Sequence, residues 1–219
     1  DGAKTPADIN LVQQTRTYIK SILGFKSVRL IERSTNYGLA NNIIDGVTSV
    51  INEYGKVIVL EDDLIVSSCF LKYMNDALDL YENKEDVCCI HGYVYPVKKP
   101  LPETFFIKGA DCWGWATWKR GWDLFCSDGK ALLGEIEKRN LKKEFDFSNS
   151  YPYCRMLKHQ IEGRNNSWAV RWYASAFLHN KLTLYPGRSL VNQIGMDGSG
   201  THCSTNEMFD VPLTNSPIV

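Results

Sequence analysis

Hydrophobic residues fall along the chain in two rhythms, and the switches between them mark out an α/β protein. Ile9, Leu11, Val12, Tyr18, Ile19 and Ile22 recur at helical spacing after Pro6, which suits an early helical position, and Gly24 supplies the stop. Val28 to Arg33 alternates as a short strand, Ser34 to Gly38 reads as a turn, and Leu39, Ile43, Val47, Val50, Ile51 and Tyr54 return to helical spacing. Asn41, Asn42 and Asp45 take the opposite face of that helix. Val57-Ile58-Val59-Leu60 is different. It is a continuous, mostly β-branched run of the kind found in strands covered on both faces, and it leads straight into Glu61-Asp62-Asp63.

Downstream, Ser67 or Ser68 can cap a helix carrying Phe70, Leu71, Met74, Leu78 and Tyr81 on one face. Val87 to Ile90 is another apolar strand, continued by His91 to Pro96 as a loop or sheet edge, with His91 a structural histidine. Phe105 to Lys108 opens an aromatic segment that runs through Asp111-Cys112-Trp113-Gly114-Trp115-Ala116-Thr117-Trp118. Residues 119–166 read as a helical insertion without chemistry. Ser167 can cap a further helix from Trp168 to about His179, Leu182 to Tyr185 is a strand, and a glycine-rich loop ends at His202. Residues 203–219 read as a polar, loosely attached tail.

Composition narrows the picture. A chain of 219 residues, 44% of them hydrophobic, can bury one sizeable core, so a single domain is expected: a first half to residue 66, a second from 67 to 202, and the tail. Lys and Arg balance Asp and Glu at 25 each, which leaves no basic excess to suggest nucleic acid as a partner. Cysteines at 69, 88, 89, 112, 126, 154 and 203 form no regular framework and no zinc-type pair, so free thiols in a reducing cytoplasm are expected. No apolar run is long enough to span a membrane.

Three adjacent carboxylates at the carboxyl end of a buried strand repel one another, and hard oxygen ligands of this kind suit Mg²⁺ or Mn²⁺, which could in turn hold a diphosphate. The alternative is a solvated loop after a core strand. Tryptophan faces stack on sugar rings and the indole N–H donates a hydrogen bond, so Trp113, Gly114 and Trp115 suit a sugar pocket, with a core cluster as the alternative. Glycines in the loop from Asn192 to His202 free backbone N–H groups for phosphate.

Asn36-Tyr37-Gly38-Leu39-Ala40, the helix after it and Val57 to Leu64 together resemble the donor-binding half of GT-A glycosyltransferases. Within that fold the chain is most similar to bacterial sugar transferases related to the N-acetylglucosaminyltransferase I group, and Cys112 to Trp118 resembles their Gly-Trp loop. The resemblance implies a Rossmann-like, mixed but mainly parallel sheet flanked by helices, with its first strand upstream of Asp1. It implies Asp63 as metal ligand, with Glu61, Asp62, Asp1, Arg33, Asn36, Trp113, Gly114 and Trp115 around the donor. His202 is implied at the metal or diphosphate, with a plain surface role as the alternative, and ordinary turn chemistry is the alternative for Arg33 and Asn36.

An inverting transferase needs a base for the acceptor hydroxyl. Relatives carry an Asp just after the tryptophan that starts the last helix, where this chain has Ala169. Asp197, Glu162 and Asp111 are the substitutes. The implied reaction moves a sugar from a nucleotide-sugar donor, UDP-sugar favoured, to a glycan or glycolipid acceptor with Mn²⁺ or Mg²⁺. Its implied setting is bacterial polysaccharide assembly in the cytoplasm, with peripheral association at the inner face of the membrane. The rivals are a nucleotide-sugar or carbohydrate-binding domain without turnover, and a metal-dependent phosphohydrolase, which lacks a second acidic cluster here.

Overall fold

The computed structural model describes residues 1–195 and 207–218. They form two compact units that meet at Gly46 and Val47, inside a helix and upstream of the boundary expected at 66.

The first unit opens with a 3-10 turn, Pro6–Asp8, fixed by a capping box in which the Asp8 carboxylate accepts from both the backbone N–H and the hydroxyl of Thr5. Helix α1, Ile9–Lys20, follows and Gly24 ends the segment at φ +96°. The helix is amphipathic as its spacing predicts, yet none of its residues is buried. Residues 28–33 belong to no strand, which corrects the alternation reading: a ladder needs a partner, and none of the described residues supplies one. Helix α2, Leu39–Tyr54, begins in this unit and ends in the second.

In the second unit a five-stranded sheet has β1 (Lys56–Val59), β5 (Trp115–Trp118), β3 (Val87–His91), β6 (Leu182–Pro186) and β4 (Thr104–Lys108) side by side in that order. Only β3 and β6 pair in parallel. The other three pairings are antiparallel, so the sheet is mixed and mostly antiparallel, not mainly parallel. Two of the three come from β5, which lies between β1 and β3 and runs opposite to both, and the third from β4 at the edge beside β6. A separate ribbon pairs β2 (Leu64–Val66) with β7 (Val191–Gln193).

Alternation along the strands sends side chains to two covered faces. Ala116, Trp118, Ile90 and Leu184 pack with Phe70, Met74 and Leu78 of α3, Phe70–Leu80. Its cap position is Cys69, one residue after the expected serines and without a side-chain cap bond, and Leu71 turns outward. The opposite face carries Trp115, His91, Thr183 and Tyr185 and is covered by α8, Trp168–Leu178, in which every residue except Ala169 is buried. Ser167 caps α8 as predicted, its hydroxyl accepting the Val170 N–H. The insertion resolves into α4 (Lys119–Trp122), α5 (Gly129–Lys138), α6 (Lys142–Phe145) and α7 (Tyr153–Ile161), and Leu132, Ile136, Phe145 and Leu157 join Phe177 in a second core.

The described part of the tail, residues 207–218, is not loose. Val211 and Ile218 are buried in the α3-side core, Tyr93 donates its hydroxyl hydrogen to the Phe209 carbonyl, and the Thr214 N–H bonds the Ser189 carbonyl. Its few apolar residues, spaced among prolines, are what dock it.

Candidate functional site

Strand β1 stops at Val59, and Glu61 to Asp63 turn the chain into β2. The partner of β2, β7, grips the end of that turn. The Ile194 N–H donates to the Asp63 carbonyl at 2.8 Å, and the Gln193 side-chain amide donates to Asp63 Oδ2 at 2.6 Å. Gly195 leaves the space: a Cβ there would lie 2.5 Å from Asp63 Oδ2 and 2.9 Å from Gln193 Nε2. Sequence reasoning passed over Gln193. The available signal was a polar residue closing an apolar strand, Leu190-Val191, at a position where alternation turns it back to the buried face.

The three carboxylates have no Lys or Arg in an ion pair among the described residues. Burial, reinforced by Asp63 and Asp62, pushes the Glu61 carboxyl up to about 7, and burial with Asp62 raises Asp63. A folded-state value above the ordinary 4.5 means that the folded protein binds the Glu61 proton more tightly than the unfolded chain. Stability therefore falls as pH rises from about 4.5 to about 7, and stays lowered above that. Glu61→Gln is expected to be more stable than the natural protein by about 1–2 kcal/mol at pH 8 without metal, after discounting for partial exposure, and equal to it near pH 4.5. Urea melts at the two pH values check this; an equal difference at both would show that Glu61 does not titrate in the folded protein.

On the other wall of the site, β1 and β5 are paired at Val59 and Trp115, so the residues just before β5 face the acidic turn. Residues 109–114 run over the α8 side of the sheet, from the amino end of β6, where the Gly109 N–H bonds the Lys181 carbonyl, to the carboxyl end of β3, where the Gly114 carbonyl accepts from the Gly92 N–H. Cys112 lies within reach of both charges, and burial together with Asp111 and Glu61 drives its thiol well above the ordinary value. Gly114 sits at φ +66°, with its open side against Val191, Phe70 and Leu60.

Asp111 is at the centre of a polar cluster. Its Oδ2 accepts from the hydroxyls of Tyr95 and Tyr185, each at 2.9 Å, and its Oδ1 from the Cys112 N–H. His91, fully buried, accepts the Trp113 N–H on Nε2 at 3.1 Å, so its proton is on Nδ1, which points at Asp111 Oδ2 from 3.8 Å without a hydrogen bond. Burial lowers the His91 pKa and keeps the ring neutral. His91 is structural, as its sequence context predicts, but only half satisfied. Asp111 has most of its lone pairs taken by fixed donors, which suits holding Tyr95 and Tyr185 in place more than accepting a proton from a substrate.

The remaining candidates divide sharply. Trp113 is partly buried, edge-on to Tyr93 and Phe209. Trp115 is not at a sugar site: it is 0% exposed, within a stack of Trp122, Trp168 and Trp172, because alternation in β5 points it into the α8 face. Asp1, Arg33 and Asn36 all lie in the first unit with structural partners. The Asp1 carboxylate accepts from the Tyr37 and Gly38 N–H groups at the start of α2, where the helix dipole favours a negative charge. Arg33 pairs with Asp45 and stacks on Tyr37, and the Asn36 amide donates to the Gly2 carbonyl. Glu162 is exposed after α7 and pairs with Arg164 at 3.1 Å. Asp197 and His202 lie outside the described residues.

No protein-family model matches the chain, and no curated protein matches it. Among the described residues no set of three or more His, Cys, Asp or Glu side chains could enclose a metal. What the chain offers is one anchored carboxylate, Asp63, beside two more, with burial opposing the charge of Glu61 and Asp63. That fits a hard cation that keeps most of its shell as water and phosphate, and does not fit a closed protein cage. Among the described residues no helix is long and apolar enough to cross a membrane.

Proposed function

We propose that the protein is a glycosyltransferase of the GT-A type that moves a sugar from a nucleotide-sugar donor to an acceptor hydroxyl with a divalent metal. The observation that carries this reading is the acidic turn Glu61 to Asp63, anchored by β7 and facing the Trp113-Gly114 wall at one end of the sheet. Bound metal would supply positive charge for the departing diphosphate. The chain's own residues have separate parts: Asp63 is the cation's anchor, Glu61 and Asp62 receive donor hydroxyls, and Trp113 offers an apolar edge to a sugar ring. Assembly of a glycan or glycolipid at the inner face of a bacterial membrane is the setting we infer for it.

Calorimetric titration of UDP, GDP and their sugar conjugates, with and without Mn²⁺, tests the reading, followed by an assay for nucleoside diphosphate release with a glycan acceptor. Binding of one nucleotide sugar only with Mn²⁺, and release only with acceptor, is the expected result. Absence of nucleotide binding in every condition would end the proposal. Binding without release would favour the second reading, a nucleotide-sugar-binding domain. That reading has its own support in α8, whose one partly exposed position, 169, carries an alanine in place of a carboxylate.

A further inference from the structure

We propose that Gln193 is a positioning residue and a second oxygen donor of a divalent-cation site built on Asp63. The inference deepens the transferase reading and rests on it for the choice of cation. Gln193 is 8% exposed, and its Nε2 donates to Asp63 Oδ2 at 2.6 Å. A carboxylate only accepts, so this contact fixes the orientation of the amide: nitrogen toward Asp63, oxygen at the free end. That oxygen, Oε1, is buried and has no hydrogen-bond partner among the described residues. A buried amide oxygen left unpaired is unfavourable unless something fills the place beside it.

The surroundings say what would fill it. Strand pairing sets Gln193 opposite Leu64, the residue after Asp63, and alternation puts Asn192, whose amide donates to Asp210, on the other side of the ribbon. The Gln193 amide is thus held by its nitrogen against a carboxylate already crowded by two others, while its Oε1 finds no N–H donor among the described residues. An amide carbonyl and a carboxylate are both hard oxygen ligands of the type Mn²⁺ and Mg²⁺ take. Gly195 keeps the two groups together by leaving out the Cβ that would separate them.

Titration of Mn²⁺ alone into the full chain at pH 8, followed by loss of the free-ion electron paramagnetic resonance signal, tests this with three variants. The natural protein is expected to take up Mn²⁺. Gln193→Met, similar in size but without the oxygen, is expected to bind at least about tenfold more weakly, and Asp63→Asn to lose binding likewise. Gln193→Glu keeps an oxygen in place and is expected to bind within about threefold of the natural protein or more tightly. If Gln193 only steadied Asp63 through its N–H, the Glu variant would be as weak as the Met variant, and that result would overturn the proposal. So would no Mn²⁺ uptake by the natural protein at millimolar concentration, or a Met variant indistinguishable from it. Circular dichroism checks folding, and should the Met variant unfold, the Glu variant decides alone. A protein that binds Mn²⁺ through these residues but turns over no nucleotide sugar would keep this inference and lose the transferase reading.

Discussion

Asparagine in place of Asp63 is expected to cut the metal-dependent sugar transfer proposed above by about a hundredfold or more, the scale on which an enzyme feels the loss of one electrostatic contact to a developing charge. The same change is expected to leave the protein no less stable at pH 8. The asparagine oxygen can still accept the Gln193 N–H, so the β7 clamp survives. Repulsion meanwhile drops, because Asp63 is one of the charges that raise Glu61. Loss of activity without loss of stability separates a working carboxylate from a structural one, since functional sites hold groups that the fold alone would not favour. Steady-state kinetics and a thermal melt on the same preparation check both halves. Turnover within threefold of the natural protein would remove Asp63 from the mechanism.

Gly114→Ala is expected to destabilise the protein by about 2–4 kcal/mol, summing the left-handed backbone penalty for a side chain and the strain of overpacking. The backbone there is at φ +66°, and the new methyl would lie 2.7 Å from Val191 Cγ2 and 3.3 Å from Phe70 Cε2. Neither neighbour can yield easily, because both are fully buried. The clash does not stop at the core. Val191 is the first residue of β7, so pushing it displaces the strand that carries Gln193, and Mn²⁺ uptake is expected to weaken along with the urea midpoint. An unchanged midpoint would mean that the wall between Gly114 and β7 is softer than its burial implies.

Much of this architecture was legible in local patterns. The acidic turn after β1, the spacing of α2, and the Ser167 cap of α8 each depend on residues close in sequence, and each appears where the pattern places it. By contrast, β1 itself is a half-buried, antiparallel edge strand with Leu60 exposed beyond it, not the strand covered on both faces that its apolar run suggests. Legibility ends where meaning depends on a distant partner. Trp115 and Trp113 look alike as letters in one motif, but β5 pairing with β1 and β3 sends the first into the core. Gln193 acquires its role only when β7 meets β2, bringing it to Asp63 across a separation of 130 positions. Asp111 likewise reads as a loop acid until Tyr95, Tyr185 and His91 converge on it. In α1 the helix was legible from its spacing, whereas its cover was not, because a periodic pattern states that a face is apolar without stating what lies against it.

The strand order also sets a timetable for the growing chain. Among the described residues the one sheet neighbour of β4 is β6, and residues 109–181 separate them. At ordinary rates of synthesis β4 waits on the order of 4–15 seconds with both edges open, its apolar Phe105, Phe106 and Ile107 offered to any other nascent strand. Yield from cells is therefore expected to depend on translation speed and on chaperones that shield this hairpin-less strand until its neighbour leaves the ribosome.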